Sequence, residues 1–454
     1  LLLNPNILFI VIDGLRSDKC HSVTKTAITP NLDSLRKKGV YFKQTISSAA
    51  ATGIAISSIL TGQFPFKTGM GGRAFHKLDK SIPSYIGFLK ANGYHTFSTA
   101  PKVATDFGLI FDFEKTDSGF ENYLSLFSGL GKQIIDKFTS GYLKEPWFFY
   151  IHFNDLHFPI TVQKEFDDEK YGTSNYEKQL SSIDVWIGKI LEQIDLENTL
   201  VILTSDHGEY VPVITTKDGF LNFESSSTEA NLWKLGNKIP SGLYPMKKKL
   251  GSLLRKTRKK TKKSKINNLS LTPYQNRILF DSRMGSGHRC FDDLIKVPLI
   301  FTGFGIPKNM TISQQVRHVD IFPTITEIIS LKYDHDTDGK SLFSLINGKK
   351  LNELPASIES PPTVKGVLTK SIGVRTSNFK YIRDIDNSKK IFELYDLKKD
   401  PLEENNIINR QPQIAKEMES ILMKIRQNIT NIEEDIDDEK SKIVRDNLRK
   451  LGYI

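Results

Sequence analysis

Three apolar runs break abruptly into clusters of polar residues, and each break falls where a buried strand would end. Asn6 to Ile12 runs into Asp13-Gly14-Leu15-Arg16, and Trp147 to Phe153 runs into Asn154-Asp155-Leu156-His157. Leu200 to Leu203 runs into Thr204-Ser205-Asp206-His207-Gly208-Glu209. Short runs of aliphatic and aromatic residues predict strands covered on both faces. Val40-Tyr41-Phe42, Gly93 to Thr99 and Val297 to Phe301 predict further strands. Between them lie helical patterns. Thr29 and Pro30 form a cap and a first turn closed by Gly39, and Tyr85 to Asn92 reads as a helix. From Tyr176 to Leu196 apolar residues recur near helical spacing at Leu180, Ile183, Ile187, Ile190, Leu191 and Ile194. Strands and helices alternating at these lengths predict a mainly parallel sheet with helices on both faces.

The pattern changes twice. From Tyr210 to Met284 regular periodicity lapses, which predicts an excursion from the sheet, and a tract this long is usually functional or disordered. Order returns at Gly285-Ser286-Gly287-His288, and His318 to Thr324 opens a helix. Beyond about residue 350, Ser371 to Arg375, Lys380 to Ile382 and Glu393 to Leu397 predict a small antiparallel sheet. A C-terminal helix from about Ile414 is expected beside it. Ile421, Ile425, Ile429, Ile432 and Ile436 on that helix fit either intramolecular packing or a coiled-coil contact. The expected domains are therefore 1–350, carrying an insert at 210–284, and 351–454.

Composition narrows the class. With 454 residues, 39% hydrophobic and 25% charged, the chain has the balance of a globular protein with a sizeable core. Cys20 and Cys290 make no disulfide framework, which fits an intracellular, cytoplasmic setting. No run approaches the roughly 20 apolar residues of a membrane span. The chain begins with Leu, so room is left for a targeting segment upstream. The net charge of +11 is local: residues 246–265 hold eleven Lys or Arg and no acid, so without them the balance is zero. Met246, Leu250, Leu253 and Leu254 would form one apolar stripe on a cationic helix there. Such a tract is expected either as a solvated lid or as a peripheral contact with an anionic membrane surface or a polyanion. No motif supports specific nucleic-acid binding.

The polar clusters supply candidate chemistry. In an open parallel sheet, ligands bind beyond the carboxyl ends of the strands, where Asp13, Asp155 and Asp206 would emerge. Asp206 beside His207 offers a hard oxygen next to a borderline nitrogen, a combination suited to a metal ion, although a polar turn after a strand would look the same. Thr52 stands just before a helical stretch of small residues, Gly53 to Leu60, so its hydroxyl would meet the helix dipole and be well placed to carry a phosphoryl group. The plainer alternative is a threonine helix cap.

Together these motifs resemble the sulfatase branch of the alkaline phosphatase superfamily. The similar features run in order: the strand ending in Asp13, Thr-Pro-Asn-Leu-Asp at 29–33, Leu-Thr-Gly at 60–62, Gly-Tyr-His-Thr at 93–96 and Thr-Ser-Asp-His-Gly-Glu at 204–209. After the insert come Val-Pro-Leu-Ile at 297–300, Val-Asp-Ile-Phe-Pro-Thr at 319–324, Asp-Gly-Lys-Ser-Leu at 338–342, Glu-Leu-Tyr-Asp-Leu at 393–397 and Leu-Gly-Tyr at 451–453. The resemblance implies an α/β fold: a large mixed, mostly parallel sheet sandwiched by helices, with a smaller C-terminal antiparallel sheet plus helix. It also places Thr52 where sulfatases carry the cysteine that becomes formylglycine, with Ile54 and Ile56 in place of the following Pro and Arg. Threonine there looks like the phosphodiesterase and phosphoethanolamine transferase relatives, in which a hydroxyl attacks phosphorus. His207 replaces the usual Asn, and Gly14 stands where a second Asp is frequent, which moves the expected ion from calcium toward zinc or manganese, with calcium or magnesium still open.

The expected site is therefore Asp13, Thr52, Asp206 and His207 around one divalent metal, with Thr52, His157 and His288 as catalytic residues. His157 and His288 with Asp155 are the alternative holders of a second metal, and Lys102 and Arg73 are candidate anion contacts. His21, His76, His95, His152, His318 and His335 are expected to be structural or at the surface. The expected activity is hydrolysis or transfer of a phosphoester on a small-molecule, glycan or lipid substrate through a phosphothreonine intermediate. A sulfuric ester hydrolase lacking formylglycine, and a non-catalytic polyanion- or membrane-binding protein, are the alternatives.

Overall fold

β1 (Asn6–Ile12) is buried at every position because it lies inside an eight-stranded sheet with a parallel neighbour on either side. Those neighbours are β5 (Trp147–Phe153) and β6 (Thr199–Thr204). The other strands are β2 (Gly39–Ile46), β3 (His95–Thr99), β4 (Lys115–Asp117), β9 (Lys296–Gly303) and β10 (Met310–Arg317), in the order β10-β2-β9-β6-β1-β5-β3-β4. β9 runs antiparallel to both β2 and β6, and the remaining pairs are parallel, so the sheet is mixed and mostly parallel. The computed structural model describes residues 4–71, 76–117, 125–157, 159–216, 219–224, 260, 264, 266, 269–280, 290–361 and 370–427.

Strand alternation sorts the core into two layers. Ile7, Phe9 and Val11 face a layer containing Ile56, Ile59 and Leu60 of the helix Thr52–Thr61 and Phe322 and Ile325 of the helix Ile321–Ile328. Leu8, Ile10 and Ile12 face the opposite layer, where Leu180, Ile183 and Ile187 of the helix Asn175–Leu191 pack. Burying several large side chains on each face, at about 1.5–3 kcal/mol apiece, is what makes the central strands continuous apolar runs.

A second sheet is antiparallel: β11 (Ala356–Glu359), β12 (Ser371–Arg375), β13 (Phe379–Asp384) and β14 (Ile391–Asp396), in that order. The helix Pro412–Ile425 covers it with Ala415, Met418 and Leu422, and Ile421 and Ile425 pack at the edge of the same cluster. The packing is therefore intramolecular as far as residue 427, and Ile429, Ile432 and Ile436 lie outside the described residues.

The lapse expected from Tyr210 to Met284 is partly wrong. β7 (Val213–Thr216) and β8 (Gly219–Asn222) form a hairpin, and Pro273–Phe280 is a helix. Ile214, Phe223, Ile278 and Leu279 are buried with Cys290, Leu294 and Ile295, so these pieces are core. Short segments with few apolar positions gave no clear period. The basic tract 246–265 lies almost wholly outside the described residues. Among the described residues no helix is long and apolar enough to cross a membrane.

Candidate metal and nucleophile site

Strand register creates the site. β1 and β6 are parallel neighbours with Val11 opposite Thr204, so two residues further on Asp13 and Asp206 emerge side by side at the carboxyl edge. Gly14 turns the chain there with φ of 77°, a conformation that favours glycine. Its N–H donates to Asp206 Oδ1 at 3.3 Å, and the His207 N–H donates to the same oxygen at 2.8 Å. The Leu15 N–H donates to Ser205 Oγ at 2.9 Å, and Ser205 Oγ donates to the His207 carbonyl at 2.6 Å. Tyr176 closes the turn from beneath by donating to the Gly14 carbonyl at 2.7 Å. Gly208 permits the exit of the second loop: a Cβ there would strike the Asp293 carbonyl, while its N–H donates to Leu294 at 2.8 Å.

Asp13, Asp206 and His207 are fully buried, and one ligand atom from each lies within 4.8 Å of the others. The imidazole is oriented for this. Its Nδ1 lies 2.8 Å from the Gly208 carbonyl, an acceptor only, so Nδ1 carries the proton. Nε2 therefore faces Asp13 at 3.6 Å and Asp206 at 3.4 Å. A backbone carbonyl that fixes the tautomer while the other nitrogen meets carboxylates is the usual support of a metal-ligating histidine. Two hard oxygens and one borderline nitrogen converging on a point fit a divalent cation.

Thr52 is the first residue of its helix, one position further in than expected, and its hydroxyl is not a cap: Ala51 holds the N-cap position in extended conformation. The residue is 4% exposed, and among the described residues its Oγ1 has no hydrogen-bond partner. Ser47 ties the chain entering this helix to the ligand loop, donating to the Asp206 carbonyl at 2.6 Å and lying 2.9 Å from the Ala49 carbonyl.

The other candidates part company. His157 is half-buried, with its N–H on the Asn154 carbonyl at 2.9 Å. Asp155 accepts the Leu126 N–H at 3.1 Å and so anchors a neighbouring turn, and burial pushes its carboxyl up to about 7. Among the described residues the Asp13 set is the one group of three or more such side chains close enough to share an ion, and the second set expected from Asp155, His157 and His288 includes a residue outside them. His288 and Arg73 lie outside the described residues, and Lys102 is exposed on the first turn of its helix.

Two histidines expected to be structural stand beside the site. His152, on the same face of β5 as Tyr150, lies 2.9 Å from the tyrosine hydroxyl through Nδ1. His318 follows β10. Both are buried and feel the Asp206 carboxylate, and burial pushes each imidazole down to about 4. Period-two alternation from Tyr150 could have flagged His152. Nothing comparable marks His318, because β10 itself was not evident from the pattern.

Comparison with known proteins converges on one group. The model of the family described as Sulfatase matches residues 5–330, and the model described as N-sulphoglucosamine sulphohydrolase, C-terminal, matches 277–435. Arylsulfatase K of Mus musculus is 28% identical over 141 residues, which span 30% of this chain and only 26% of that protein. Choline-sulfatase of Rhizobium meliloti is 20% identical over 457 residues, covering 89% of this chain and 82% of the other. Among solved structures, the phosphonate monoester hydrolase of Agrobacterium radiobacter superposes with a TM-score of 0.64 at 16% identity, covering 94% and 96% of the two chains.

Proposed function

The chain belongs to the sulfatase family, and from that premise we propose that it is a metal-dependent phosphoester hydrolase or transferase in which Thr52 is the nucleophile. The observation that carries this reading is the buried Thr52 Oγ1 without a hydrogen-bond partner among the described residues, on a helix whose entrance Ser47 ties to Asp206.

Asp13, Asp206 and His207 would hold the divalent cation. Such an ion polarises an ester oxygen and lowers the pKa of a hydroxyl it touches. The remaining work falls to the chain. The amino-terminal end of the Thr52–Thr61 helix directs backbone N–H groups and the positive end of its dipole toward an anionic ester. Thr52 Oγ forms a bond to phosphorus as the ester P–O bond breaks, losing its proton while the departing alkoxide gains one. His157, and His288 from the segment after the insert, are the residues proposed to donate that proton or hold a non-bridging oxygen. Water or an acceptor alcohol then displaces Thr52, giving hydrolysis or transfer.

Sulfate ester hydrolysis is the second reading, favoured by the family and by relatives called arylsulfatase and choline-sulfatase. Against it stands the residue type, because threonine cannot become the aldehyde hydrate that the cysteine-bearing members use. Rates on matched aryl phosphodiesters, phosphomonoesters and sulfates separate the two readings. Intact-mass measurement after incubation with the best substrate should show a phosphoryl-containing adduct on Thr52, and Thr52→Ala should lower turnover by about 10⁴ or more. Unchanged turnover in Thr52→Ala would sink the proposal.

A further inference from the structure

His318 occupies a place that its surroundings make unusual. It starts the short turn His318–Asp320 between β10 and the helix Ile321–Ile328. β10 and β2 are parallel with Arg317 opposite Ile46, so His318 follows beside Ser47, the residue that donates to the Asp206 carbonyl. The same turn packs against the Thr52–Thr61 helix. His318 therefore stands where the nucleophile's helix, the end of β2 and the ligand loop meet.

The turn holds it rigidly. Arg317 and Asp320 bridge at 2.6 Å, and Asp320 also accepts the Arg317 and Lys340 N–H groups at 2.9 Å each. Thr324 donates to the Asp320 carbonyl at 2.6 Å. Within this clamp the His318 ring is fully buried, close enough to the Asp206 carboxylate and His207 to feel their charge, with the Ser205 backbone as its polar neighbour, and among the described residues neither nitrogen makes a further hydrogen bond. A buried imidazole left so costs free energy that an apolar residue of similar volume would not, so its presence calls for a role in the occupied site.

We infer that His318 is a positioning residue for the ion site, bracing the Ser205–His207 loop from the side of the Thr52 helix so that Asp206 and His207 converge on the cation. The inference rests on the reading that Asp13, Asp206 and His207 hold a divalent cation. Outer groups of this kind typically change affinity 10- to 100-fold without touching the ion.

Titration of the whole chain with Mn²⁺ in a calorimeter tests it. His318→Phe keeps a planar ring and removes the nitrogens, and should weaken Mn²⁺ binding by about tenfold or more. His318→Gln keeps a polar end and should lose clearly less. Equal affinity in His318→Phe and the wild type, or equal losses in the two variants, would overturn the inference alone. No binding by the wild type would overturn both it and the ion site. Should His318→Phe not fold, the wild type still decides: the His318 ring ¹⁵N resonances should shift as Zn²⁺ is added, and their constancy would refute the role.

Discussion

The molecule buries two clusters of ionisable side chains, and they are built on opposite plans. At the join of the two sheets, Lys380 is fully buried with its ammonium 2.6 Å from both Asp292 and Glu403. Arg375 grips Asp292 with two nitrogens at 2.9 and 2.7 Å and donates to Gln315 at 2.6 Å. Here two cations answer two acids, all supplied by the chain. At the edge of the large sheet, backbone N–H groups hold Asp206 and a backbone carbonyl holds His207, and one ligand atom from each lies close to one from Asp13. The first plan ties the small sheet to the segment leading into β9 of the large one. The second gathers two carboxylates and an imidazole as the proposed ion site requires, and this difference in plan separates the two clusters better than burial itself, which is nearly complete in both.

Breaking the locked cluster should have the largest effect on stability. Lys380→Met strands Glu403 without its cation, and urea denaturation should show a loss of about 3–5 kcal/mol. The proposed ion site should respond to added cation by stabilising the fold. Adding a divalent cation at a hundredfold its dissociation constant should raise the unfolding free energy by about 2.7 kcal/mol, and Asp206→Asn should remove most of that gain. A chelator should reverse it in the wild type only.

Acid sharpens the comparison further. Although burial opposes it, Arg375 and Lys380 hold the Asp292 carboxyl well below its usual range. A depressed folded-state value means that the stability from this group is present above the ordinary carboxylate pKa and is lost as pH falls through the depressed one. Thermal midpoints of the wild type should therefore decline on that acid limb, and those of Asp292→Asn should start lower and fall less steeply. The smallest effect is expected from Ser47→Ala, which deletes one hydrogen bond to the Asp206 carbonyl. It should cost about 1 kcal/mol by denaturation and weaken cation binding only slightly.

Much of this was legible beforehand, for identifiable reasons. Asp13, Asp206 and His207 were readable because an apolar strand ending in acids marks a sheet's carboxyl edge. Thr52 was singled out by its place before the small-residue stretch Gly53 to Leu60 and by the family resemblance, although its exact helical position was not legible. His152 was legible only through its alternation with Tyr150 along β5, and His318 was not, because no strand pattern marked the segment before it. The locked cluster was invisible as well: Asp292, Arg375, Lys380 and Glu403 are ordinary charged residues in sequence, separated by as many as 111 positions.

The residues alone, through alternation, helical spacing and turn chemistry, determined that this is an α/β chain with acids delivered to one edge, because those patterns are local and each is set by neighbours a few positions away. Tertiary structure alone decided that β1 lies between β5 and β6 and that β10 pairs with β2. It is that strand order, a matter of which faces pack best across the whole core, that brings position 13 beside 206 and sets 47 and 318 near the loop that carries 206.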